Sequence, residues 1–221
     1  MMVIDGVKAD GYIFGVALNY KCLYQKFESI FNDKPYIAEP EKPVLFIKTP
    51  NTRSISGQNI FKRKGDVVQA GPCVGVVIGQ TTSRVSVTQA EQSISGYVVV
   101  NELSLPEESY YRPVVKAKCQ DGFCVIGDVI EKSKIADPKS LELRVFINNE
   151  LKQTGTTANW IRTPAQLISE VSQFMTLHEG DILLTGTPYG RVEIKSGDEV
   201  RVEIDQLGSV TNRIQLEGFR A

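Results

Sequence analysis

The 221-residue chain carries 25 Lys and Arg against 26 Asp and Glu, a formal charge of −1, which removes the electrostatic case for nucleic-acid binding. No apolar stretch approaches membrane-spanning length, and Tyr97 to Val100 and Asp181 to Thr185 are strand-sized runs. Four cysteines, Cys22, Cys73, Cys119 and Cys124, are too sparse for a disulfide framework and lack zinc-knuckle or redox-pair spacing, so reduced thiols in a cytoplasmic protein are expected.

Residues 1–10 lack a long apolar run and read as a short N-terminal lead, not a secretory signal. Residues 11–221 show no Pro/Ser-rich linker, low-complexity tract or charge block and read as one domain. Strand signals dominate. Tyr12 to Leu18, Val44 to Lys48 and Val74 to Ile78 are short apolar runs bounded by polar or glycine-containing segments. Leu141 to Ile147 and Glu199 to Ile204 alternate apolar and charged residues, as half-buried strands do, and Asn148–Asn149 supplies a turn into Leu151. Gly65–Asp66, Gly180–Asp181 and Gly197–Asp198 each read as a turn that launches a strand.

Helices are few. Leu23, Phe27, Ile30 and Phe31 repeat at helical spacing between Tyr20 and Asn32, predicting one apolar face. Thr88 with Glu91 fits a capping box for a short helix ending near Gly96. Thr163–Pro164–Ala165–Gln166 is a stronger start, predicting a helix to about Thr176 that buries Leu167, Ile168, Val171 and Phe174. Many strands with two or three helices give a β-rich α+β fold.

Several segments carry chemistry alongside a plainer reading. His178 is the lone histidine, in a polar turn that suits a solvated residue, and without a second histidine a Ser-His-Asp or Cys-His mechanism is disfavoured. Thr185–Gly186–Thr187 and Gly155–Thr156–Thr157 are hydroxyl-rich segments suited to a carboxylate, or ordinary glycine turns. Glu102, Glu107 and Glu108 follow a strand end, where they fit ligands or acid/base groups, or a solvated acidic loop. Arg112, Lys116 and Lys118 then gather cations that would suit a dianionic acid, or a solvated face.

Taken in order, the segments resemble the fumarylacetoacetate hydrolase family. They are Gly15 to Tyr20, Phe46 to Thr52, Val76 to Gly79, Gly96 to Asn101, Gly155 to Thr157, Met175 to Leu177 with Gly180–Asp181, Thr185 to Pro188, Gly197 to Val200, and Asn212 to Ile214. The resemblance covers roughly residues 11 to 216 and implies the family's β-sandwich/roll fold. Within the family, Leu103 to Pro113 and Lys116 to Cys124 look like the decarboxylase/isomerase branch of homoprotocatechuate (4-hydroxyphenylacetate) breakdown. That implies a subunit acting on 2-oxo-enoic di- and tricarboxylic acids, as a homodimer or as a heterodimer with a paralogous subunit.

The resemblance also implies a site. Lys118 sits on the family's active-site lysine, and Lys48 and Thr187 keep their positions. Lys118 and Glu102 are the implied catalytic residues, with Lys48, Arg112, Thr157 and Thr187 as substrate contacts. The family's Mg2+ or Mn2+ is held by two glutamates and an aspartate, whose positions fall here on Gly71, Cys73 and Glu102. One carboxylate and one thiol do not make a magnesium site. The lid histidine and glutamate of hydrolytic members fall on Leu23 and Lys26. Two other readings stay open: a non-catalytic half that completes a metal-competent paralogue, and a carboxylate-binding module.

Overall fold

In the computed structural model, which describes residues 3–4, 7–107 and 109–218, the apolar strands assemble into two main sheets. The first has seven strands in the order Val44–Lys48, Ile13–Ala17, Ile182–Leu184, Pro72–Ile78, Ile94–Glu102, Cys124–Glu131, Arg53–Ile55. Its two edge strands are successive in the chain, joined only by residues 49–52. A flat seven-stranded sheet would set its edges roughly 29 Å apart, at about 4.8 Å per spacing. Five Cα links reach at most about 18 Å. The sheet must therefore roll until its edges approach.

Rolling buries both faces. One side closes on Ile13, Phe46, Cys73, Val98, Cys124 and Leu184. The other packs against a five-stranded sheet, ordered Glu150–Thr156, Glu142–Ile147, Glu199–Ile204, Gly208–Leu216, Asn59–Lys62. Val74, Val76, Val99, Leu143, Val202 and Val210 fill that main core. Complete burial explains why Pro72–Ile78 reads as a continuous apolar run, whereas Glu199–Ile204 alternates.

The predicted strands form at or within a residue or two of their expected bounds, except that the run Tyr97 to Val100 extends to Ile94–Glu102 and takes Glu102 into the strand. Gly65, Gly180 and Gly197 all have positive φ, and Asn148 and Asn149 do too, making the tight turn before Glu150–Thr156. Asp181 holds its turn by accepting from the backbone N–H groups of Tyr12 and His178 at 2.7 and 2.8 Å.

The helices depart more. The first spans Lys21–Phe27 with a 3-10 turn to Ile30, and none of its residues is buried; of the expected face only Phe31, just beyond it, enters the core. Phe27 instead packs edge-on against Tyr110, ring centroids 4.9 Å apart. The capping box lies on Ser86 and Gln89, not Thr88 and Glu91; its helix ends at Gln92, and Gly96 belongs to the next strand. The Thr163–Gln166 capping box forms as expected, but the helix stops at Ser172, leaving Phe174 70% exposed. Among the described residues no helix is long and apolar enough to cross a membrane.

Candidate active site

Glu102 ends the strand Ile94–Glu102, beside the start of Pro72–Ile78, where Pro72 faces Asn101. Its N–H donates to the Gly71 carbonyl at 2.8 Å, while the Gly71 N–H donates to the Asn101 side chain at 3.1 Å. The Glu102 carboxylate is 1% exposed. A buried charge of this kind is tolerable only with partners, and three cations supply them.

Lys48 Nζ lies 2.6 Å from Oε1. It also donates to the carbonyls of Leu103, Lys118 and Phe123 at 2.7, 2.8 and 2.9 Å, so its three protons are spent on backbone. The contact with Oε1 is therefore ionic, and Oε1 has no hydrogen-bond donor. Lys118, at the end of the short helix Val115–Lys118, donates to Oε2 at 3.0 Å and lies 2.6 Å from Glu107 Oε1 and 4.4 Å from the centre of the Phe46 ring. Arg191 donates through Nη1 to the Glu102 carbonyl at 2.7 Å and through Nη2 to Oε2.

Burial alone would raise the Glu102 pKa, but the charges of Arg191, Lys118 and Lys48 override it and hold the carboxyl well below its ordinary range. Burial pushes the Cys73 thiol up to about 12, with Glu102 adding to the effect. Glu102 is thus an anion at neutral pH and Cys73 a neutral thiol.

Lys118, Arg191, Glu102, Glu107, Tyr110 and Thr187 face a small cavity of about 20 Å³, with Leu23, Phe46, Cys73 and Gly186 among its other walls. Gly186 has φ of +94°, and a Cβ there would come 2.8 Å from the Val16 carbonyl, so the turn after Ile182–Leu184 approaches closely only with glycine. The cavity shares Ala17, Phe46, Glu107 and Tyr110 with a groove of about 380 Å³ that Arg112 also lines.

The structure therefore brings Glu102, Lys118 and Lys48 together and sets Thr187 on the same cavity. Lys48 lies behind Glu102, 0% exposed, with its donors taken, and is not positioned to meet a ligand. Arg112 is exposed and stands along the groove. Thr157 lines neither space: its hydroxyl accepts from the Leu141 N–H at 2.9 Å. Gly155–Thr156 closes a strand and is not a turn, and Gly155 lets Pro188 pack, 2.8 Å from where a Cβ would stand. The Thr185 hydroxyl donates to the Val74 carbonyl at 2.9 Å, leaving Thr187 as the cavity hydroxyl of that turn. Glu107, expected in a solvated loop, is 8% exposed, whereas Lys116 and His178 are exposed. Glu108 lies outside the described residues.

Arg191 carries no local motif, and sequence reading misses it. Its place is set by pairing: Val192 faces Ala70 in a short ladder, which brings Arg191 beside Gly71. The Mg2+ or Mn2+ implied by the resemblance does not fit these residues. Among the described residues no three His, Cys, Asp or Glu side chains converge, and both oxygens of Glu102 already face cations.

Residues 12–215 match the family model for fumarylacetoacetate (FAA) hydrolase C-terminal domains. A 4-hydroxyphenylacetate degradation bifunctional isomerase/decarboxylase of Salmonella dublin is 40% identical over 207 residues, 94% of this chain and 48% of that protein. Its Escherichia coli counterpart is 42% identical over 204 residues, 92% of this chain and 47% of that protein. This chain thus spans about half the length of these curated relatives. The crystal structure of a 5-carboxymethyl-2-hydroxymuconate delta-isomerase from Mycobacterium smegmatis superposes with a TM-score of 0.81 at 27% identity, covering 96% of this chain and 81% of that one. A family match over nearly the whole chain, carried on the same rolled-sheet fold, makes this chain a member of the fumarylacetoacetate hydrolase family.

Proposed function

We propose that this chain is a subunit of a decarboxylase/isomerase acting on 2-oxo-enoic di- or tricarboxylic acids in 4-hydroxyphenylacetate breakdown, in the cytoplasm. The observation that carries the reading is the buried cluster of Lys118, Arg191, Glu102 and Glu107 beside a groove that shares Phe46, Glu107 and Tyr110 with their cavity. A 2-oxo acid head would meet Lys118, Arg191 and the Thr187 hydroxyl once their cavity, about 20 Å³ and roughly the size of one water, opens to the groove, and the far carboxylate would reach toward Arg112. Isomerisation and decarboxylation share a dienolate, and the oxygen that gains charge needs preorganised donors. Lys118 supplies one, oriented by Glu102 and by the Phe46 ring below it. Glu107, in contact with Lys118, is placed to carry the proton that moves along the substrate chain. Pairing with a second copy or with a paralogous subunit belongs to the same proposal.

The second reading, a non-catalytic half of a heterodimer, draws on the incomplete carboxylate set among the described residues. One assay separates the two. A 2-oxo-enedioic acid is incubated with the full chain, alone and with a paralogue carrying both missing glutamates, and loss of dienol absorbance is followed. Turnover by this chain alone that disappears in Lys118→Met supports catalysis here. Turnover only with the paralogue, and unaffected by Lys118→Met, supports the partner half.

A further inference from the structure

Gly71 and Arg191 are two halves of one arrangement. A Cβ on residue 71 would stand 2.9 Å from Arg191 Cζ, nearer still to Nη1, and against the Glu102 carbonyl oxygen. No side chain at 71 coexists with the guanidinium where it lies. The guanidinium is 15% exposed, aimed at Glu102 through two nitrogens, and held in register by the Val192–Ala70 pairing. We infer that Arg191 stands where a divalent cation would otherwise be held, and that this chain binds its anionic ligand through Arg191 and Lys118 without metal. The inference deepens the function proposed above and rests on it only for the ligand class, a small 2-oxo carboxylate.

Three features support the replacement. First, Arg191 meets the one carboxylate that a metal would need. Glu102 Oε2 already faces Arg191 and Lys118, and Oε1 faces Lys48 at 2.6 Å. An entering dication would have to displace these cations while lying among their charges. Second, the charge count favours an anion. Lys48, Lys118 and Arg191 face Glu102 and Glu107, which leaves one positive charge in excess among the described residues. Third, guanidinium keeps its charge at any physiological pH and offers five donors in a planar fork that matches a carboxylate. Two of its nitrogens bind Glu102, and the group also lines the cavity wall.

The test is a pair of titrations on the full chain stripped with chelator. Mn2+ alone is titrated first, read by calorimetry and by the electron paramagnetic resonance of free ion. No saturable uptake is expected. Saturable uptake that Glu102→Gln abolishes would overturn the inference. Pyruvate is then titrated with chelator present and, separately, with Mn2+ present. Equal affinity in both, weakened at least tenfold in Arg191→Met, is the expected result. Pyruvate binding that needs Mn2+ would also overturn the inference. Absent pyruvate binding, together with absent Mn2+ uptake, would overturn the proposed ligand class while sustaining the exclusion of metal. Because Arg191→Met can disturb folding, its urea midpoint is measured alongside, and the two wild-type titrations decide the metal question by themselves.

Discussion

Lys48 and Lys118 hold opposite oxygens of one carboxylate, Lys48 at 2.6 Å from Glu102 Oε1 and Lys118 at 3.0 Å from Oε2. Their remaining partners divide their roles. Lys48 spends its protons on three backbone carbonyls, whereas Lys118 adds Glu107 and faces the cavity. Replacing Lys48 by Met orphans three buried carbonyls and half of a buried carboxylate, and is expected to cost about 3–5 kcal/mol of stability. Lys118→Met leaves Glu102 with two cations and should cost less, about 1–3 kcal/mol. It should nonetheless remove the proposed oxyanion donor and lower turnover on the order of 10²-fold. Urea denaturation and turnover on the two variants check this. Equal stability losses would mean that Lys48 is not the structural member of the pair.

Phe46 lies directly over Gly15. A methyl on residue 15 would run into the Phe46 ring, 2.6 Å from Cε1 and closer to its tip. That ring carries Lys118 at 4.4 Å from its centre. Gly15→Ala should therefore destabilise by about 1–3 kcal/mol through overpacking. It should also displace the aromatic face under the ammonium, an interaction worth roughly 0.5–2 kcal/mol. The expected readout is a lower thermal midpoint with weaker pyruvate binding. An unchanged midpoint would show that the ring has room to turn aside.

Thr163 caps the helix Pro164–Ser172 by accepting from the Gln166 N–H, while the Gln166 side chain accepts from the Thr163 N–H at 2.8 Å. The helix places Leu167, Ile168 and Val171 in the core, away from the cavity. Thr163→Ala should cost about 1 kcal/mol and leave turnover at saturating substrate unchanged. A fall in turnover without a fall in stability would contradict that separation.

The strands were legible because period-two alternation and Gly-Asp turns are local signals that the rolled sheet preserves, as at Glu199–Ile204. The capping boxes show the limit of spacing. Ser86–Gln89 and Thr88–Glu91 both satisfy the pattern, and the helix starts at the earlier of the two caps. The apolar residues after Tyr20 kept their helix but not its burial, because Leu23 turns to the cavity and Phe27 to Tyr110. At the site, Lys118 and Glu102 could be read from ordered resemblance, Glu102 closing the strand Ile94–Glu102 and Lys118 the short helix Val115–Lys118. Arg191 could not. Its position depends on a strand pairing with residue 70, over a hundred residues earlier, and on the missing side chain of Gly71.

Glu102 also fixes how stability should vary with acidity. Its carboxyl titrates well below 4.5 in the fold, held there against burial by Arg191, Lys118 and Lys48. The unfolded chain therefore binds this proton first as pH falls. The contribution is complete above about pH 4.5 and is lost progressively as pH drops toward the folded value. Within that window the group should remove roughly 1.4 kcal/mol per pH unit. Glu102→Gln lacks that slope but leaves three cations facing a neutral amide, so it should be several kcal/mol less stable at pH 7, about 3–5 kcal/mol by analogy with broken buried pairs. Urea midpoints between pH 3 and pH 7 for both proteins give the comparison. The two curves should converge as pH falls. Parallel curves would mean that Glu102 does not carry the charge that the cation cluster requires.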